Sequence, residues 1–284
     1  MIGTTPIVSI LCVLAAAISP TAAPAQTTPA APALPTISDD EIWNHFAKWA
    51  AELKPLPPGH DKNERNIILY YRDALVTEGV DKEEAIRRAR RMNALRRGSV
   101  ERERIFWNGS FKLGTGPAGP LRLLEEAIRK VKPGRSLDAG MGGGRNTIYL
   151  AANGWDSHGY DMSEEAITAA QAGAKEAGVA IATVLAEHAK FDFGDSQWDL
   201  ILCSYCGMSP TDLHWSGVIL KALKPGGLAI FQEFVATRPD WTKLSDTWKA
   251  FHILRLEDED PGYIDTDWNP SLTNRTIMVV ARKE

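Results

Sequence analysis

The chain has 284 residues, of which 44% are hydrophobic and 24% are charged, and its formal net charge is −4. These proportions are those of an ordinary globular protein, so they exclude a collagen-like or disordered chain, and three cysteines are too few for a disulfide framework. The slight acidic excess also excludes a basic field over the whole surface that would attract nucleic acid, although a local patch can still exist.

The N-terminal segment carries no charged side chain before Asp39. Within it, residues 7–18 form an apolar run that is shorter than the roughly 20 residues needed to cross a bilayer. An A-x-A cleavage site, Ala23-Pro24-Ala25, follows the run. We therefore predict a signal peptide over residues 1–25, an exported protein (periplasmic or secreted) and no stable membrane span in the mature chain. No Lys or Arg precedes the run, and without a cleaved signal the protein would be cytoplasmic.

Three helices are predicted after a disordered linker rich in Pro, Ala and Thr over residues 26–37. The first begins at Ser38 or Asp39, which would cap it, and the others span residues 63–77 and 82–97. Together they make a helical extension, or lid, over residues 38–117.

The extension contains a basic stretch. Residues 81–104 hold nine basic and five acidic side chains. Because the two signs are interleaved, the pattern favours a solvated helix face with i,i+4 ion pairs. The alternative is a patch that binds nucleic acid or another anionic surface.

The pattern changes to alternating helices and strands after residue 120. A helix over residues 121–131 is followed by seven strand candidates, and helical stretches separate the first five of them. This alternation predicts an α/β domain over residues 118–284, built on a Rossmann-like, seven-stranded, mostly parallel sheet with helices on both faces and an antiparallel last strand. The strand candidates are residues 136–138, 156–160, 180–185, 198–204, 227–234, 251–256 and 276–281.

A glycine-rich loop follows the first strand. Gly140, Gly142 and Gly144 precede a helix over residues 146–152. Glycine lets the backbone turn sharply there and approach a ligand without an intervening side chain. By itself this loop is typical of a dinucleotide pyrophosphate site or of an ordinary tight turn.

Two carboxylates refine the interpretation of the loop. Asp161 ends the second strand, 17 residues after Gly144, where it can accept hydrogen bonds from both hydroxyls of a ribose. Asp138 lies two residues before the first glycine. A carboxylate at that place would repel a pyrophosphate but suits a ligand that carries an ammonium and a sulfonium. The pair therefore favours S-adenosylmethionine over NAD.

The chain resembles the class I S-adenosylmethionine-dependent methyltransferases over roughly residues 118–284. Their D/E-x-G-x-G-x-G loop and the acidic residue that ends strand two are matched by residues 138–144 and Asp161. Further matches are Ala186-Glu187 after strand three, WDLI at residues 198–201 and LKPGG at residues 223–227. The sequence GMGGGRN, together with Gly154, is also similar to the tellurite-resistance and thiopurine methyltransferases.

The resemblance implies a role for each matched residue. Asp138 would lie near the methionyl amino end of the cofactor, and Asp161 would hold the ribose. Met162 would pack on the adenine; core packing is its alternative. Glu187, where the family more often has Asp, would face the adenine amino group beside His188, unless both are surface groups. The predicted cofactor-binding set is Asp138, Gly140, Met141, Gly142, Gly144, Asn146, Asp161, Met162, Glu187, His188 and Cys203, with no metal site.

The methyl acceptor would bind at the carboxyl ends of strands four and five, where residues 203–206 (CSYC) and Glu233 lie. The C-x-x-C pair could line the pocket, form a disulfide or take part in chemistry. His214 and Tyr205 could act as acid or base, but a lone histidine is more often structural. The acidic residues 258–267 lack the spacing of an EF-hand loop and are interpreted as a solvated loop.

These observations predict a methyltransferase that acts on a small-molecule acceptor. One alternative is an exported, non-catalytic binding protein with the same fold, because S-adenosylmethionine is made in the cytosol. Another is an RNA methyltransferase that uses the basic residues 87–104. A nicotinamide oxidoreductase is disfavoured by Asp138 and by the missing second Rossmann half. No motif specifies the acceptor or the oligomeric state.

Overall fold

The computed structural model describes residues 37–56, 66–114, 119–235, 239–259 and 275–284. The predicted signal peptide and all of the predicted linker except Ile37 lie outside these ranges, as do residues 260–267 of the acidic stretch. Residues 37–284 cluster as a unit of their own.

Four helices form the N-terminal extension: α1 (Asp39–Ala51), α2 (Ile67–Thr77), α3 (Lys82–Arg96) and α4 (Val100–Lys112). Helix α1 begins as predicted, because the Ser38 hydroxyl accepts a hydrogen bond from the Glu41 amide while the Glu41 carboxylate accepts one from the Ser38 amide. Helix α2 begins at Ile67, with Asn66 as its N-cap, so the predicted start at residue 63 is too early. The sequence patterns above contain no counterpart of α4.

The extension is held together by an aromatic core. The Phe46 ring is buried, with its centroid 5.2 Å from that of Tyr71 and 6.1 Å from that of Phe106. Trp43 is buried in the same cluster, and Trp107 packs against it. Isolated helices of 11 to 15 residues are marginal in water, so this shared core stabilises them.

The basic stretch is largely paired within the extension. Glu84 binds both Arg87 and Arg88, and Arg96 donates to Glu103 at 2.6 Å. Arg91 binds Asp39 of α1, and Arg104 binds Glu101. The Glu84–Arg88 pair has the predicted i,i+4 spacing, whereas the Arg91–Asp39 and Arg96–Glu103 pairs join different helices.

The sheet has seven strands: β1 (Arg135–Ala139), β2 (Asp156–Asp161), β3 (Ala182–Leu185), β4 (Trp198–Ser204), β5 (Leu223–Val235), β6 (His252–Glu259) and β7 (Arg275–Arg282). Their order is β3-β2-β1-β4-β5-β7-β6. Strands β1 to β5 are parallel, and β7 is antiparallel to both of its neighbours. The predicted mostly parallel sheet with an antiparallel last strand is confirmed.

Helices cover both faces of the sheet: α5 (Arg122–Ile128), α6 (Arg145–Ala152), α7 (Glu164–Ala177), α8 (Leu213–Ala222) and α9 (Trp241–Trp248). Successive residues of β4 point to opposite faces. Ile201 joins a core with Ile219 of α8 and Leu244 of α9, and Leu202 joins one with residues of α5 and α6.

Two matched motifs meet at the amino ends of the strands, away from the glycine loop. The Asp199 carboxylate accepts hydrogen bonds from the Lys224 ammonium at 2.7 Å and from the Arg135 amide at 2.8 Å. These contacts tie β4, β5 and β1 together. Asp199 of the WDLI motif and Lys224 of the LKPGG motif therefore hold strands of the sheet together.

None of the helices in the described ranges combines the length and the hydropathy that crossing a bilayer requires. Within the same ranges, no three His, Cys, Asp or Glu side chains are grouped so that they could hold a metal ion.

Candidate active site

The glycine loop connects β1 to α6 and packs closely on its surroundings. Gly142 and Gly144 have φ angles of +55° and +79°, which L-residues rarely adopt. A Cβ on Gly144 would lie 2.7 Å from the Ala170 Cβ of α7. Both glycines are therefore required by the turn, and Gly144 also by the close approach of α7.

Asp138 lies beneath the loop, in β1, and its side chain is 1% exposed. One of its carboxyl oxygens accepts a hydrogen bond from the Thr147 hydroxyl at 2.8 Å. Burial, only partly offset by this hydrogen bond, raises the pKa of Asp138 to about 7. The predicted cationic-ligand carboxylate is thus deeply desolvated, and Thr147 is a partner that the sequence patterns did not indicate.

Asp161 ends β2 on the other side of the loop. Its two carboxyl oxygens accept backbone hydrogen bonds at 2.9 Å, from Gly142 in the loop and from Ser163 at the start of α7. Burial raises the pKa of this carboxyl, and the backbone hydrogen bonds counteract part of that rise. Asp161 therefore couples the glycine loop to the segment that follows β2.

Helix α4 of the extension covers this part of the site. The Asn108 amide oxygen accepts a hydrogen bond from the Ser163 hydroxyl at 2.6 Å, and its nitrogen donates to Glu164 at 2.7 Å. The Phe111 ring lies over Gly142, where a Cβ would come within 2.9 Å of Cζ. Asn108 and Phe111 recur with Arg104 at helical spacing, so the i, i+4, i+7 pattern was the signal that could have found them.

A cleft of about 550 Å³ opens beside Met162, the residue after Asp161; Asp161 itself does not line it. Met162 and Glu187 line it, together with Arg104 of α4 and Phe191. Glu187 also accepts a hydrogen bond from Lys190 at 2.8 Å. Met162 is half-buried at the wall of this cleft rather than in one of the core clusters.

His188 lies between the loop that follows β3 and the turn that follows β4. Its Nε2 donates to the Cys206 carbonyl oxygen at 2.8 Å, so the neutral ring accepts at Nδ1 from the Tyr160 hydroxyl at 2.7 Å. Burial lowers the pKa of His188, which favours this neutral form. Both ring nitrogens are thus used to position other parts of the protein.

The turn after β4 brings together several of the residues predicted for the acceptor side. Tyr205 has a φ angle of +52°, and its ring stacks on Phe234 with centroids 4.3 Å apart. Glu233 accepts hydrogen bonds from the Gly207 and Phe234 amides, both at 3.0 Å, and burial raises its pKa to about 7. His214 lies instead at the start of α8, against Trp215.

Three members of the predicted cofactor set have buried side chains that pack within the domain. Met141 packs on Gly159 of β2, and Asn146 accepts a hydrogen bond from the Leu121 amide at 2.8 Å. The Cys203 thiol donates to the Met208 sulfur at 3.7 Å. Cys203 and Cys206 are both free thiols.

Comparison with known proteins gives a family match that spans the glycine loop and Asp161. Residues 137–227 match a family model described as a methyltransferase domain. Ribosomal RNA small subunit methyltransferase C of Alcanivorax borkumensis is 35% identical over 72 residues, which are 25% of this chain and 22% of that protein. The alignment thus spans about a fifth of the length of this curated relative.

The solved structures that are similar to the chain share little sequence with it. TehB from Haemophilus influenzae is 18% identical, with a TM-score of 0.50 and coverage of 63% of this chain and 67% of TehB. A SAM-dependent methyltransferase from Methanosarcina mazei is 17% identical, with a TM-score of 0.46 and coverage of 58% and 98%.

The strand order, the glycine loop after β1 and the acidic residue that ends β2 define a Rossmann-like methyltransferase fold. The match over residues 137–227 includes the glycine loop and Asp161. The chain therefore has the Rossmann-like fold of the class I S-adenosylmethionine-dependent methyltransferases, and its residues 137–227 match a methyltransferase domain.

Proposed function

We propose that the protein transfers a methyl group from S-adenosylmethionine to a small-molecule acceptor. The observation that carries the proposal is the pair of buried carboxyl groups, Asp138 and Asp161, on either side of the glycine loop. Burial raises both pKa values, and neither group has an ion-pair partner among the described residues. A bound cation would relieve this cost, so the site favours a positively charged ligand. S-adenosylmethionine supplies that charge and an electrophilic methyl group on its sulfonium.

The cleft beside Met162 suits the adenine of the cofactor, and Asp161, next to it in the chain, suits the ribose. The cleft volume of about 550 Å³ falls in the usual range for small-ligand sites. Each Asp161 oxygen accepts one backbone hydrogen bond, which leaves lone pairs for the ribose hydroxyls. Met162 offers an apolar surface to the adenine, and Glu187 an acceptor for its amino group. His188 acts indirectly in this scheme, by holding the surrounding loops.

The acceptor side is inferred at the carboxyl ends of β4 and β5. The stacked Tyr205 and Phe234 rings form an apolar wall there, and Glu233 provides a carboxyl with a pKa of about 7. Such a group can take a proton at neutral pH if the acceptor must lose one. Gln232 adds a buried amide oxygen without a hydrogen-bond partner in the described structure, which suits an acceptor with a donor group.

The ion pairing of the arginines in the basic stretch favours a small-molecule acceptor over RNA. Arg87, Arg88, Arg91, Arg96 and Arg104 are all held in ion pairs with acidic side chains. Neutralised arginines release few counterions from nucleic acid, so they contribute little to its binding. The proposal predicts that labelled methyl groups pass to an extract of small metabolites and not to ribosomal RNA.

The decisive experiment is calorimetric titration with S-adenosylmethionine and S-adenosylhomocysteine. We expect both to bind, and Asp161→Ala to weaken binding at least tenfold, because hydrogen bonds to a charged group contribute about 1.5–3 kcal/mol. Asp156→Ala, at the exposed opposite end of β2, is the matched control and should bind normally. A folded wild-type chain that binds neither compound would refute the proposal.

We also propose, from the sequence alone, that residues 1–25 are a cleaved signal peptide and that the mature protein is exported. N-terminal sequencing of the protein purified from its native host tests this. A chain that starts after Ala25 is expected, and an intact Met1 in the cytosolic fraction would contradict it.

A further inference from the structure

Two thiols lie beside the glycine loop at the end of β4. Cys203 is buried and stands in register with Ala139, the residue before Gly140. Cys206 is half-buried, and its Cβ lies 2.8 Å from the position that a Cβ on Gly140 would take. The pair therefore adjoins the backbone that would carry the cofactor.

Because Ala139 and Gly140 are consecutive, Cys203 and Cys206 flank the same short piece of the loop, and Glu233 lies beside the turn that carries Cys206. A hydrogen bond with Cys206 and burial raise the pKa of the Cys203 thiol, and the charge of Glu233 raises it further. Glu233 also accepts a hydrogen bond at 3.0 Å from the amide of Gly207, which follows Cys206. Its own pKa of about 7 leaves part of it ionised and able to accept a proton at neutral pH.

We propose that Cys203 and Cys206 form a redox-active dithiol that small disulfides such as glutathione disulfide oxidise, and that the resulting protein disulfide weakens cofactor binding at the adjacent loop. Formation of the disulfide concerns the thiols alone. Its effect on cofactor binding rests on the proposed function.

The chemistry is two successive thiol–disulfide exchanges. The more exposed Cys206 attacks as a thiolate, the S–S bond of the small disulfide breaks, and one half leaves as a thiolate. Cys203 then gives its proton to the Glu233 carboxylate and attacks the Cys206 sulfur, which releases the second half. Two cysteine thiols lose two electrons in total, and one small disulfide becomes two thiols that take up the released protons.

Oxidation should reach the cofactor site because the turn that carries Cys206 has little freedom. Tyr205 already has a φ angle of +52°, and the Cys206 carbonyl oxygen is bound by His188 at 2.8 Å. A disulfide requires sulfur atoms about 2.05 Å apart. Its formation therefore draws Cys206 toward Cys203 and changes its contacts with Gly140 and His188.

We expect the disulfide to weaken S-adenosylhomocysteine binding at least tenfold. Because coupling between two equilibria is reciprocal, bound S-adenosylhomocysteine should oppose oxidation by the same factor. For this two-electron couple, a tenfold effect raises the reduction potential of the pair by about 30 mV.

The experiment uses the full chain with Cys12→Ser, so that only the pair can react. The protein is equilibrated in glutathione buffers of increasing potential, alkylated and analysed by mass spectrometry, and its reduced and oxidised forms are titrated with S-adenosylhomocysteine. Cys206→Ser in the same background should show equal affinity in both buffers. Glu233→Gln should accumulate the mixed glutathione disulfide.

Absence of a Cys203–Cys206 disulfide in fully oxidised glutathione would overturn the proposal. A disulfide that changes the affinity less than twofold would overturn the coupling. If the reduced chain fails to bind S-adenosylhomocysteine, the proposed function is wrong and the coupling fails with it. Whether the disulfide forms then tests, by itself, the claim that Cys203 and Cys206 are a redox-active dithiol.

Discussion

Replacing Asp138 by Asn should stabilise the protein while it removes affinity for the cofactor. The Asp138 side chain is 1% exposed, and burial raises its pKa from 3.8 to about 7. A group with a raised folded-state pKa holds its proton more tightly in the folded chain. Its favourable contribution is therefore complete below pH 3.8 and is lost as the pH rises to about 7.

The size of the effect follows from that pKa difference. Each pH unit between the two values costs about 1.4 kcal/mol. The ionisable group thus lowers the free energy of unfolding by about 2 kcal/mol at pH 5 and about 4 kcal/mol at pH 8. Asn stays neutral and can still accept the hydrogen bond from Thr147. We expect Asp138→Asn to gain these amounts, which is about 10 °C in Tm at pH 8.

Urea unfolding of both proteins without cofactor, at pH 5 and pH 8, measures this gain. Asp199→Asn is the control of opposite sign. Although burial would raise the pKa of Asp199, its bonds to Lys224 and the Arg135 amide hold that pKa below 3.8. Asp199→Asn should therefore lose stability at pH 8. A gain for Asp138→Asn that is no larger at pH 8 than at pH 5 would refute the reasoning.

Three further predictions concern the surroundings of the loop. Gly142→Ala should destabilise the domain in urea unfolding by about 1–2 kcal/mol from its φ of +55° alone. The added Cβ should also clash with Phe111, and a Phe111→Leu background should relieve that additional loss. Asn108→Ala should cost about 1 kcal/mol and speed amide exchange in α4, and unchanged exchange would contradict the anchoring by Ser163. In an NMR pH series His188 should titrate below pH 6.5 and show the Nε2–H tautomer, whereas a higher midpoint would exclude its buried neutral state.

Much of the sheet could be predicted because its signals are local. The bounds of β1, β2 and β4 lie within one residue of the predicted ones, since short apolar runs between turn residues mark strands. Helix α4 was not predicted because four of its first five residues are charged, which is typical of a solvated surface and not of a buried face. Its apolar positions do not mark a clear buried face along the sequence. That face is evident only from the aromatic core against which the helix packs.

The sequence by itself determined the order of the motifs along the chain, the glycine loop and the two carboxylates that flank it, because these depend on spacing along the chain. Only the tertiary structure decided what surrounds them. Phe111 reaches Gly142 across 31 positions, and His188 joins Tyr160 to Cys206 across 28 and 18. The raised pKa of Asp138 also comes from the layers packed around β1. Desolvation is a property of a side chain's neighbours in space, and no local pattern encodes it.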